Sequence, residues 1–101
     1  MKRKSIILND KDNVATALTE LAAGEVIQME MNDRSLSVTL LDTIPFGHKF
    51  SLTRIQSNSP VIKYGEKIGE ATADIQLGQH VHVHNVGGTR GRGDLIAKEK
   101  K

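Results

Sequence analysis

The sequence predicts a small, mostly β domain with one short helix near its N-terminus. Three observations lead there. Apolar and polar residues alternate through several runs rich in β-branched side chains. Glycines recur at the boundaries of those runs. Only one early segment carries the spacing of a helix.

Ser5-Ile6-Ile7-Leu8 reads as a first strand. In NDKDNVATALTELAAGE, Asp10 or Asp12 is placed to cap a helix N-terminus by accepting orphan backbone N–H groups. Val14, Leu18, Leu21 and Ala22 then share one helical face, and Gly24 suits the left-handed residue that ends a helix. These features predict a helix over about residues 12–23. After Gly24 the period becomes two. EVIQMEM sets Ile27, Met29 and Met31 opposite Val26, Gln28 and Glu30, and NDRS makes a turn. LSVTLLDTI places Leu36, Val38 and Leu40 on one face. Pro45 and Gly47 punctuate, KFSLTRI is the next strand, and QSNSP is a loop. VIKYGEKIGEATADIQLGQHVHVHNV alternates short β runs with Gly65, Gly69 and Gly78. The glycine-rich segment after it reads as an exit loop, followed by a charged tail over residues 95–101. No internal repeat is visible.

With 101 residues the chain has room for one core. Aromatics are 3% and Trp is absent, which disfavours a nucleic-acid module that stacks bases on aromatic platforms. The net charge is only +2, with much of the excess in Lys2, Arg3, Lys4, Lys98, Lys100 and Lys101, so no nucleic-acid partner is expected. The absence of Cys excludes disulfides, thiolate metal sites and thiol catalysis. The apolar run Ile6-Ile7-Leu8 is too short for a signal-peptide core, and no run approaches a bilayer span. The expectation is a soluble cytoplasmic protein with no membrane partner.

Three segments can carry chemistry. His80, His82 and His84, three of the four histidines, alternate in GQHVHVHNV. On a strand they share a face, with Val81 and Val83 in the core. Neighbouring members then lie about 6.6 Å apart and the outer pair about 13 Å, so a pair can converge on one metal but all three cannot. Imidazole can also act as a general base near neutral pH. In IPFGHKF the Pro45–Gly47 turn presents His48 and Lys49, a pair suited to a carboxylate or to proton abstraction, although a plain hairpin tip fits the same residues. In GGTRGRGD, Arg90 and Arg92 can grip carboxylates. That segment is no phosphate loop, because Asp94 stands where lysine is required.

Taken together, IPFGHKFSL, VIKYGEKIGEATADIQLGQHVHVHNV and RGRGDL resemble the N-terminal SAF module of the altronate/galactarate dehydratase family. The resemblance extends over nearly the whole chain and implies a β-clip fold over residues 1–94. It implies a lyase: the small subunit or N-terminal domain of a sugar-acid dehydratase that eliminates water from a hydroxy-acid carboxylate, inactive without a large catalytic subunit. An alternative is the alpha subunit of a sulfolactate sulfo-lyase, which eliminates sulfite. A non-catalytic carbohydrate- or acid-binding module is a second alternative, and an appendage-assembly module, which a signal peptide would accompany, a third. The resemblance places His48, His82 and His84 in catalysis and Lys49, Asn85, Arg90 and Arg92 in substrate binding. It further implies a divalent metal, Fe2+, on His82 and His84 and shared with the large subunit. His82 and His84 are ranked before His80 because they lie nearer Asn85.

Overall fold

The computed structural model describes residues 3–31 and 34–88. Among the described residues nine strands follow in order: β1 (Ser5–Ile6), β2 (Val14–Ala17), β3 (Val26–Met31), β4 (Arg34–Thr39), β5 (Lys49–Ser51), β6 (Pro60–Lys63), β7 (Glu66–Ala71), β8 (His80–Val81) and β9 (Val86–Gly87). They form a four-stranded sheet in the order β1-β2-β5-β8, a β3-β4 hairpin, and a three-stranded sheet in the order β6-β7-β9. Every pairing is antiparallel. Among the described residues no helix is long and apolar enough to cross a membrane.

The mostly β class stands, but the expected helix over residues 12–23 does not form. Val14–Ala17 is instead an inner strand of the four-stranded sheet, paired with β1 and β5. Its two sides are claimed by two cores. Ala15 and Ala17 join Leu21, Ile27, Leu40, Ile44 and Phe50, whereas Val14 joins Ile55, Val61, Ala71, Ile75 and Val81. A strand apolar on both sides loses the period-two alternation and can imitate a helical spacing. The capping carboxylate is also used elsewhere. Asp12 accepts the Leu8 and Gly65 N–H groups at 3.3 and 2.8 Å, which ties the β6–β7 turn to the segment before β2. Gly24 has the expected positive φ, but within a turn.

The alternation read in the next two strands holds. Ile27, Met29, Val38 and Leu40 are buried, Leu36 packs against the same core, and Val26 is exposed. These strands form a hairpin with one face on a core and one in water, the setting in which alternation is legible. Of the expected NDRS turn, residues 32 and 33 lie outside the described residues, and Arg34 and Ser35 instead open β4.

A six-residue turn unit recurs four times: LAAGEV from Leu21, IPFGHK from Ile44, IQSNSP from Ile55 and IQLGQH from Ile75. Each opens on a buried Leu or Ile. Each has a positive-φ residue three positions on (Gly24, Gly47, Asn58, Gly78; φ 88, 84, 74 and 85°). Each then starts a strand two residues later, namely β3, β5, β6 and β8. The residue after the positive-φ position donates its N–H to the carbonyl three residues back, at 3.0–3.1 Å in the units of Leu21, Ile44 and Ile75 and 2.9 Å in that of Ile55. The opening residues pair as bridges, Leu21 with Ile44 and Ile55 with Ile75. The units start at unequal intervals and share few side chains, so this repeat escapes a search of the sequence for a fixed period.

Candidate functional site

The site is built where two turn units deliver the starts of β5 and β8. The β5–β8 register pairs Lys49 with Val81 and Phe50 with His80. Continued by one residue, it sets His48 opposite His82. Phe50 is fully buried, so this side of the sheet lies over the larger core, with the histidines at its rim. The His48 and His82 rings stack at 3.8 Å between centroids and 11° between planes. His48 Nδ1 and His80 Nε2 are hydrogen-bonded at 2.9 Å, one ring donating and the other accepting. One ring nitrogen from each of His48, His80 and His82 lies within 4.8 Å of the others. All three side chains are half-buried.

A comparison of turn units explains why His48 is available. In the Leu21 and Ile75 units the side chain after the glycine folds back into its own turn. Glu25 accepts the Ala22 N–H at 3.0 Å, and Gln79 accepts the Gln76 N–H at 2.8 Å. In the Ile44 unit the equivalent of Ala22 and Gln76 is Pro45, which has no N–H to satisfy. The imidazole after Gly47 has no such partner within its turn and projects into the cluster instead.

The histidine strand is shorter than the alternation suggests. Val81 is 1% exposed, as expected, but Val83 is 82% exposed instead of lying in the core. The chain leaves β8 after Val81 and turns through His82–Asn85. Asn85 builds that turn. Its side-chain carbonyl accepts the His82 N–H at 3.0 Å and its amide donates to the His80 carbonyl at 2.9 Å. Asn85 is 4% exposed, so both ends of its amide serve the backbone. The turn also cancels the straight-strand spacing, because the exposed His84 ring comes back to 5.1 Å from that of His80. The structure therefore groups His48 with His80 and His82, and leaves His84 beside His80 at the rim. His80 emerges as a central member.

Lys49 leaves β5 on the side opposite to His48, as adjacent strand residues must. It lines an open groove of about 260 Å³ with His82, Val81, Ile68, Val83, Val86 and Gly88. His82 thus belongs to both the imidazole cluster and the groove. A larger cavity of about 440 Å³, bordered by Arg3, Ser5, Gln28 and Glu30, holds none of the histidines. Arg90 and Arg92 lie outside the described residues.

Electrostatics favour the neutral forms of His80 and His82. Burial, then His84, His48 and His82, hold His80 below the ordinary histidine range, against the opposing pull of Asp42. Desolvation lowers His82 as well, assisted by His48, Lys49 and His84. Lys49 is lowered by burial and by Lys63. Asp42 was not apparent in the sequence as part of this site. Its carboxylate accepts the His80 N–H at 3.0 Å from 38 residues away, and nothing local marks it. Three convergent imidazoles without thiolate fit a borderline transition metal, iron included, better than magnesium or calcium.

The model of the altronate/galactarate dehydratase SAF domain matches residues 3–89. Altronate dehydratase of Escherichia coli (strain K12) is 49% identical over 74 residues, 73% of this chain and 14% of that protein. Altronate dehydratase of Bacillus subtilis (strain 168) is 40% identical over 83 residues, 81% of this chain and 16% of that protein. The (2R)-sulfolactate sulfo-lyase subunit alpha of Chromohalobacter salexigens is 44% identical over 54 residues, 54% of this chain and 57% of the relative. The chain spans about a sixth or less of the length of the altronate dehydratases it matches.

Proposed function

Because the chain belongs to the SAF-domain family of the altronate/galactarate dehydratases, we propose that it is the small subunit or N-terminal domain of a cytoplasmic sugar-acid dehydratase. In this reading it forms one wall of an active site completed by a large catalytic lyase subunit or region. The observation that carries the proposal is the meeting of His48, from the Pro45–Gly47 turn, with His80 and His82, from the distant HVHVHN segment.

β-Elimination needs a base for the proton α to the carboxylate and a means of stabilising the charge that develops there. His48, His80 and His82 are the residues that would hold a divalent metal, Fe2+ in this reading. When bound, that metal supplies Lewis-acid stabilisation of the developing charge. Lys49 binds the substrate carboxylate from the groove that His82 borders. His84, exposed beside His80, is the imidazole left free to move a proton. Arg90 and Arg92 are assigned to the substrate from the sequence alone. Asn85 acts on the substrate only indirectly, by fixing the His80–His82 turn.

The test is reconstitution. The chain alone is expected to be inert, and mixing it with the large subunit should give turnover of altronate. Alanine at His82 and His84 together should abolish that turnover while circular dichroism shows the β fold retained. Undiminished turnover in the double variant would refute the proposal. Similarity to sulfo-lyase alpha subunits supports a second reading, elimination of sulfite from sulfolactate. Release of sulfite in place of a 2-keto-3-deoxy acid would select it.

A further inference from the structure

We infer that this chain by itself, without a partner subunit, binds one divalent transition-metal ion through the imidazoles of His48, His80 and His82. The inference deepens the metal part of the proposed function. It stands on geometry that needs no lyase chemistry.

Read as a straight strand, the sequence denies such a site, because its alternating histidines are too spread to close on one ion. The fold removes the objection in two ways. It brings in His48, 32 residues from His80, and bonds their rings nitrogen to nitrogen at 2.9 Å. It also stacks His82 on His48 across the β5–β8 register. The three candidate donor atoms already lie within 4.8 Å of one another. Tetrahedral zinc–imidazole bonds of about 2.0–2.1 Å set donor atoms about 3.3–3.4 Å apart, so the half-exposed rings converge by turning out of their near-parallel stack until their lone pairs meet at one point. The 2.9 Å pair already stands near that separation, and a metal would replace the proton that the two nitrogens share.

The backbone around the donors is held from three sides. The β5–β8 pairing fixes His48 relative to His82. Asp42 accepts the His80 N–H, and the buried Asn85 amide holds both the His80 carbonyl and the His82 N–H. Donors on a fixed backbone lose less freedom on binding than donors on a free loop. Three imidazoles leave at least one coordination position for water or an anionic ligand, the arrangement of an open rather than a closed site. An all-imidazole set also selects ions of the zinc, cobalt, nickel or iron(II) kind over magnesium.

The experiment is calorimetric titration of the full 101-residue chain, stripped with chelator, against Zn2+ and then Mg2+. One equivalent of Zn2+ and no Mg2+ are expected. His48→Gln and His80→Gln should each weaken Zn2+ binding at least about tenfold, the loss typical even of an outer-shell partner. His84→Gln should weaken it less than either. A wild-type readout guards against variants that fold poorly: Zn2+ should shift the ring resonances of His48, His80 and His82 in nuclear magnetic resonance spectra and raise the Tm. The inference is overturned by absent one-to-one binding, by resonance shifts confined to His84, or by a His84→Gln loss equal to that of His48→Gln. Metal binding with no turnover in any reconstituted complex would refute the lyase reading alone. Turnover with no metal bound by the chain would refute this inference alone.

Discussion

The Ile44 and Ile75 turn units have the same backbone and opposite roles for their side chains. Both open on a fully buried isoleucine, both pass through a glycine near φ +85°, and both lead into one of the two paired strands beside the histidine cluster. In the Ile75 unit Gln79 is spent on its own turn, and the glycine is pressed against the Thr39–Leu40 backbone. In the Ile44 unit Pro45 removes the N–H that would need such a partner, Gly47 faces open space, and His48 is released to the cluster. One turn design therefore yields a structural joint and a candidate site, and the choice lies in which backbone group needs satisfying.

The largest expected contrast is between the two glycines. A Cβ at Gly78 would overlap the Thr39 carbonyl oxygen, in a turn whose own carbonyl accepts the Leu41 N–H at 2.9 Å. Gly78→Ala combines that overlap with an unfavourable φ and should destabilise by about 3 kcal/mol or more. Gly47→Ala meets nothing within 4 Å and carries only the φ penalty, about 1 kcal/mol. Urea unfolding of both variants measures the difference, and equal losses would refute the distinction.

A smaller contrast follows from the side chains after the glycines. Gln79→Ala leaves the Gln76 N–H to water and should cost about 0.5–1 kcal/mol. His48→Ala removes no bond within its turn, so its effect should appear in metal binding and turnover more than in urea stability. The reverse pattern would mean that the cluster is a structural joint.

The smallest expected effect is a pH dependence in chelator. His80 has a folded pKa below its unfolded value, which is about 6.5. Above that value the ring is neutral in both states and its contribution is fully present. As pH falls below about 6.5 the unfolded chain takes up the proton first, and stability is lost until the folded ring protonates as well. Tm should therefore drop between about pH 7 and pH 5 in the wild type and drop less in His80→Gln. An identical fall in both would assign the dependence to other groups.

Legibility in the sequence followed burial. The β3–β4 hairpin was readable because one face meets a core and the other meets water, so Ile27, Met29, Val38 and Leu40 alternate with exposed neighbours. VATA in β2 imitates a helix because cores on both sides of the sheet claim its residues. The histidine run was read correctly as far as Val81. Beyond it, the Asn85 side chain takes the backbone bonds that would have continued the strand, and alternation carries no record of such a competitor. Asp42 was missed because its only mark is a bond to a residue 38 positions away.

The β class, the glycine turns and the chemical groups available are already written in the chain, since these depend on side-chain period and on local backbone sterics. The sequence also singled out His48 and the HVHVHN run as candidates. Which histidines meet depends on long-range pairing. That choice is made by the pairing register of β5 and β8, and a slip of one residue would turn His48 to the other face. Register is set by the burial of Phe50 and Val81 in two different cores, a condition imposed by the whole chain rather than by any one stretch of it.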